Sequence, residues 1–243
     1  MKLKVSSMML GVALTAVSLA SQAAEVTLTG WAFGNGNSVQ TTTSSSATGT
    51  TASALTGSYN GAAGGFRGTL AGAGVFNTSS FLTYCIELEE SFYFSPDAMR
   101  GYSVVDGSSY FQARRALNSN RPEGASVAER LGQLMSWANA DATRVDSNDE
   151  STALQLAVWN IVYDSDWTLT AVSSFRDQSN YRTAATQMLQ AARDTTNRYD
   201  VFALTRAGKQ DFLLSSLRVP EPGSMALVGV ALVGLVLARR RRA

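Results

Sequence analysis

Gln155 and Cys85 are the residues in this 243-residue chain whose types and placement call for chemistry. Gln155 lies in the stretch Ser147-Asn148-Asp149-Glu150-Ser151-Thr152-Ala153-Leu154-Gln155-Leu156-Ala157-Val158-Trp159-Asn160-Ile161-Val162-Tyr163-Asp164. Ser147 and Glu150 have the spacing of a capping box, which starts a helix by satisfying free amides at both residues. Leu154, Ala157, Val158 and Ile161 then repeat as one buried helical face, with Gln155, Trp159 and Val162 forming a second stripe beside it. A half-buried carboxamide is costly unless it finds partners or reacts. Its most reactive potential partner is Cys85, the sole cysteine, in Phe81-Leu82-Thr83-Tyr84-Cys85-Ile86-Glu87-Leu88. The plain alternatives are a cysteine buried as a small hydrophobe, a glutamine bonded to a loop carbonyl, and a Trp159 that only packs.

Tyr84-Cys85-Ile86-Glu87 followed by Leu154-Gln155-Leu156-Ala157-Val158-Trp159 resembles the thioester domains of bacterial surface adhesins. Those domains pair a strand cysteine with a glutamine in a Thr-Gln-x-Ala-x-Trp-like helix. A further helix is found just upstream, where Arg130 to Trp137 stand here. The resemblance spans about Phe81 to Trp167 and implies a thioester between Cys85 and Gln155, supported by Tyr84, Ala157 and Trp159. Thiolate attack on the carboxamide with loss of ammonia is unfavourable for free groups, so rigid elements must hold sulfur against carbonyl. An amine on a partner would then attack the Gln155 carbonyl and release the Cys85 thiol. That is single-use acyl transfer, not enzymatic turnover. The chain departs from the family in placing Leu154, not threonine, before the glutamine. Glu87, Glu89 and Glu90 also crowd the cysteine; because carboxylates disfavour thiolate, they are expected to point away.

The two ends are sorting signals. Residues 1–23 combine Lys2 and Lys4, an apolar run and Ser21-Gln22-Ala23, a secretory signal for signal peptidase. Residues 219–243 hold Pro220-Glu221-Pro222-Gly223, an apolar helix over 224–238 and the basic tail Arg239-Arg240-Arg241-Arg242. The apolar run is short for a bilayer span, and the arginines would stay cytoplasmic. This tripartite tail resembles the PEP-CTERM sorting signal of Gram-negative bacteria. It implies anchoring in the inner membrane by the C-terminal transmembrane helix, processing by an exosortase-type membrane protease, and delivery to the cell surface or extracellular matrix.

Setting aside the six basic residues of these ends and Glu221 leaves 14 basic against 18 acidic residues, a net charge of about −4 on residues 24–219. A mildly acidic exported body argues against nucleic acid as a partner. The chain has no histidine, which excludes Cys-His and Ser-His-Asp catalysis. Zinc is not expected, nor is any other metal or cofactor. Asp164 and Asp166 beside Trp167, with Glu87, could serve as glycosidase carboxylates, but such clusters usually sit on solvated turns. Asp141, Asp146, Asp149 and Glu150 lack calcium-loop spacing.

The positioning elements follow from periodicity. Strands are expected at 25–33, 66–71, 81–88, 200–204 and 211–214. Helices are expected at 108–117, with Tyr110, Ala113 and Leu117 on one side, at 127–139, and at 180–194, capped by Ser179 or Asn180. Residues 35–65, rich in Ser, Thr, Gly and Ala, read as a low-complexity loop, with one short strand possible at 54–56. Strands, then helices, then strands give an α+β fold: an antiparallel β sandwich or barrel with a helical insertion, filling residues 24–218 as one domain. The competing function is a non-covalent structural component of the exopolysaccharide matrix or cell envelope.

Overall fold

The computed structural model describes residues 23–43, 58–92, 94, 99–117, 119, 121–169 and 175–218. The signal-peptide run, the possible strand at 54–56, and the whole of 219–243 lie outside them. Six antiparallel strands form the main sheet in the order β5-β4-β1-β6-β8-β9: Thr78–Thr83, Phe66–Ala71, Ala24–Trp31, Met99–Asp106, Tyr199–Arg206 and Lys209–Leu217. Its two edge strands nearly meet. The chain beyond β5 bridges β9 at Cys85 and Phe212, with Leu213 N–H on Tyr84 O (2.9 Å) and Ile86 N–H on Asp211 O (3.1 Å). The Thr83 hydroxyl adds a bond to Leu213 O at 2.6 Å. Closing the sheet this way satisfies edge groups that would otherwise need water, and yields a nearly closed barrel.

Between β6 and β8 the chain inserts α1 (Gly107–Leu117), α2 (Gly124–Ala138), α3 (Asn148–Tyr163), β7 (Phe175–Asp177) and α4 (Arg182–Arg193). A second sheet, β3-β2-β7, is built from Ser58–Ala63, Asn37–Thr43 and Phe175–Asp177. The α+β arrangement with a helical insertion is therefore the observed one. Residues 35–65 are not simply a loop: β2 and β3 pair from Asn37↔Ala63 to Thr42↔Ser58. Only Val39 and Thr41 of β2, and Ala63 of β3, are buried, so the strands hold by backbone pairing and carry no apolar alternation to read.

The helices differ from expectation in which sides they bury. In α3 the capping box is formed, with the Ser147 hydroxyl accepting from Glu150 N–H. Yet 13 of its 16 residues are buried, so α3 is a central helix enclosed on all sides, not one with a single apolar face. α1 buries Tyr110 and Phe111, whereas Ala113 and Leu117 are exposed. α4 begins at Arg182 without a side-chain cap on its first turn; Ser179 Oγ accepts from Tyr181 N–H instead.

Candidate functional site

Cys85 meets β9 as a pair whose ladder bonds are made by its neighbours, Tyr84 and Ile86. In such a pair the residue's own N–H and C=O face away from the partner strand. On that far side β4 has already ended: its last pairing is Phe66↔Thr83. The next residue, Gly65, turns its N–H to Ser151 Oγ (2.8 Å) and its C=O to Ala32 N–H (2.8 Å). A Cβ on Gly65 would stand 2.8 Å from the Tyr84 ring, so only glycine lets the chains approach this closely.

Gln155 takes the place a β4 residue would have filled. Cys85 N–H donates to Gln155 Oε1 at 2.9 Å, and Gln155 Nε2 donates to Cys85 O at 2.8 Å. The carboxamide thus pairs with Cys85 as a strand backbone would. Ser151, Gln155 and Trp159 recur every four residues, so one stripe of α3 plugs the gap. Thr152 helps fix the helix by donating to Ala63 O at 2.9 Å.

The pair is dry. Cys85 is 6% and Gln155 1% exposed, and burial pushes the Cys85 thiol far above the usual thiol range. Both line a cleft of about 270 Å³ walled by Trp31, Tyr59, Phe66, Phe92 and Trp159. Tyr59 packs edge-on against Trp159 at 5.2 Å, and its hydroxyl is pushed up to about 12 by burial and by the nearby Cys85. Sequence reading missed Tyr59 because it lies on β3, inside the segment taken for a loop.

The neighbouring carboxylates are occupied. Buried Glu87 accepts from Asp211 N–H (2.8 Å) and is ion-paired with Arg114 of α1. Glu89 pairs with Arg121 (2.7 Å) and accepts from the Tyr163 hydroxyl (2.7 Å). Glu90 lines the cleft, its carboxyl raised by burial first and by Asp211 next. Oxygens of Glu87, Glu90 and Asp211 come within 4.8 Å of one another, a cluster the sequence did not suggest. Arg114, also 3.7 Å from Asp211, supplies the positive charge there.

The other singled-out residues are placed as follows. Tyr84 is fully buried beside Cys85, and Trp159 walls the cleft. Ala157 is buried about half a turn around α3 from Gln155 and does not line the cleft. The Asp164 carboxylate holds the turn after α3 through Ser165 and Phe175 N–H, while Arg130 binds the carbonyls of Asp164 and Asp166 and covers the Trp167 ring. Glu87 belongs to the separate Arg114 cluster. Asp141 accepts from Thr143 and Glu150 from the amides of Asp146 and Ser147, which serves their own loop, while Asp149 accepts from Asn37 and ties the start of α3 to β2.

Past Arg218, which ties the end of β9 to Asp200 at 2.7 Å, the chain passes directly into its tail. Residues 218–242 match the PEP-CTERM protein-sorting motif. PEP-CTERM motifs are exosortase substrates, and they mark an exported protein that is processed at the membrane and displayed on the cell surface. Pro220, Glu221, Pro222, Gly223 and the four terminal arginines all lie within the match or at its edge. Among the described residues no helix is long and apolar enough to cross a membrane; the run at 224–238 lies outside them. The fold is similar to the N-terminal thioester domain of a surface protein from Clostridium perfringens, solved with a cysteine replaced by alanine. That likeness has 14% identity and a TM-score of 0.42, and covers 74% of this chain and 99% of the other. No curated protein matches the chain significantly.

Proposed function

We propose that this exported PEP-CTERM protein closes an internal thioester between Cys85 and Gln155 and uses it to capture an amine-bearing partner covalently. The observation that carries the reading is the carboxamide of Gln155 held at both ends on the backbone of Cys85. A strand residue's N–H and C=O lie in the plane of the ladder while its Cβ projects out of it. The thiol therefore stands off the plane in which the carboxamide is held, the side from which a nucleophile must approach a carbonyl. With both groups on buried, rigid elements, proximity replaces a bimolecular encounter.

Closing the bond joins Cys85 Sγ to Gln155 Cδ and breaks the Cδ–Nε2 bond; the thiol proton leaves with the nitrogen as ammonia. The burial that raises the thiol also makes it a reluctant leaving group and keeps water out, so the bond persists until an amine enters the cleft. Attack joins the amine nitrogen to Cδ, breaks the Sγ–Cδ bond, and leaves one proton of the amine on sulfur. Each molecule reacts once, so the protein is its own substrate rather than an enzyme. Signal peptidase and an exosortase would deliver it, and the surface or matrix of a Gram-negative bacterium is where capture would take place.

Intact mass tests this. The exported protein should be lighter than its sequence by ~17 Da, the lost ammonia, and methylamine should then add ~31 Da. The second reading, a non-covalent structural component of the exopolysaccharide matrix or envelope, is favoured by the Gln155 carboxamide, whose oxygen and nitrogen each already have a backbone partner. Full mass in freshly purified protein, unchanged by methylamine, would decide for it. Thiol titration of the native fold cannot discriminate, since a free Cys85 is also buried.

A further inference from the structure

We infer that the indole N–H of Trp159 and the backbone N–H of Cys85 together form an oxyanion hole for the Gln155 carbonyl, an inference that rests on the thioester reading. Closing and opening the bond both pass through a tetrahedral Cδ whose negative charge sits on Oε1. One donor is already in place, since Cys85 N–H lies 2.9 Å from that oxygen. A carbonyl oxygen has a second acceptor site, and an oxyanion demands more.

Trp159 is the residue placed to fill that demand. It is 2% exposed, and its Nε1 has no hydrogen-bond partner among the described residues. An unsatisfied buried donor is costly, and a phenylalanine would serve packing against Tyr59 without that penalty. Trp159 follows Gln155 by four residues, and helical side chains lean toward the N-terminus, so its ring lies over the turn that carries Gln155. Both residues line the same cleft. Two other side-chain donors of the cleft are committed: Tyr59 donates its hydroxyl to Ala62 O at 2.6 Å, and Gln210 Nε2 donates to Glu87 O at 3.1 Å. The resting state therefore leaves Trp159 unpaired, and the transition state pairs it.

The test replaces Trp159 by β-(3-benzothienyl)alanine, which keeps the bicyclic shape and lacks the N–H, alongside Trp159→Phe as the simple variant. The readouts are the rate of ammonia loss when full-mass chain recovered unfolded from inclusion bodies first folds, and the rate of methylamine incorporation into the closed protein, both by intact mass. Loss of one oxyanion donor should slow both by about 10²-fold, with the melting temperature of the benzothienyl protein no lower than that of wild type. Wild-type rates in the benzothienyl protein would overturn the inference while leaving the thioester standing. Absence of any mass deficit in the wild type would instead sink the thioester reading, and the oxyanion hole with it. Should Trp159→Phe fail to fold, the shape-preserving replacement still decides.

Discussion

Two buried polar constellations stand two residues apart on one stretch of chain. At Cys85 a thiol and a carboxamide line one cleft with no formal charge, and Gln155 is bound to backbone alone. At Glu87 a carboxylate, fully buried, is balanced by Arg114 and by the amide of Asp211, whose own carboxylate receives the Tyr110 hydroxyl at 2.7 Å. Both arise because the barrel closes here without a regular strand pair, leaving backbone and side chains to finish the seam. The lesson is that charge close in sequence need not act on the thiol. Glu87 and Glu89 are drawn off by arginines from α1 and the loop after it, and dehydration is what raises the thiol. The neutral pair is held by the backbone of Cys85, and the charged one by arginine.

The sharpest way to probe this contrast is to remove the carboxamide. Gln155→Ala should abolish the mass deficit and leave both polar groups of Cys85 buried without partners, costing about 2–5 kcal/mol in denaturant melts against wild type opened by methylamine, whose amide keeps both bonds. Cys85→Ala should abolish the deficit equally but, measured against the same methylamine-opened protein, cost only about 1 kcal/mol, since Gln155 binds backbone that alanine retains. Equal destabilisation by the two would show that the sulfur, not the backbone pairing, holds α3 to the seam.

Breaking the charged site comes next. Arg114→Ala strands Glu87 and should cost about 3 kcal/mol, with Glu87→Gln in the same chain recovering more than half of it. The mass deficit should survive in the folded protein. Its loss would mean that the two constellations are one coupled site.

The smallest effect is a pH dependence. In Gln155→Ala the thiol is free, and its folded pKa lies above the unfolded value of about 8.5. The unfolded chain therefore releases its proton first, so stability is full below that value and falls as pH rises, by up to ~1.4 kcal/mol per unit. Melts from pH 8 to 10 should show this slope in Gln155→Ala and not after Cys85→Ala is added. Wild type with a closed thioester has no thiol and should lack it too.

Much of the scaffold was legible. The capping box of Ser147 and Glu150, the apolar repeats of α2 and α3, and strands β1, β4, β8 and β9 are local patterns, and local patterns report on local structure. The strand expected over 81–88 breaks into β5 and a lone bridge at Cys85, because β9, not an apolar alternation, decides where it pairs. β2, β3, β6 and β7 escaped notice for a related reason. β2 and β3 are Ser/Thr/Ala-rich and exist through their partners, β6 carries Gly101 at φ +83°, and β7 is three residues long. Trp159 was read as a supporting residue that also packs, and nothing in spacing alone shows an indole N–H without a partner.

By itself the sequence determined which groups are available: one thiol, no imidazole, a carboxamide on an apolar helix, and a tail that addresses the protein to the cell surface. Only the tertiary structure decided that the carboxamide of Gln155 stands where β4 stops short and is paired there with Cys85. That placement depends on a register between residues 70 apart, set by which strand runs out first at the closing seam. Such pairing is a property of the whole sheet, and no local pattern encodes it.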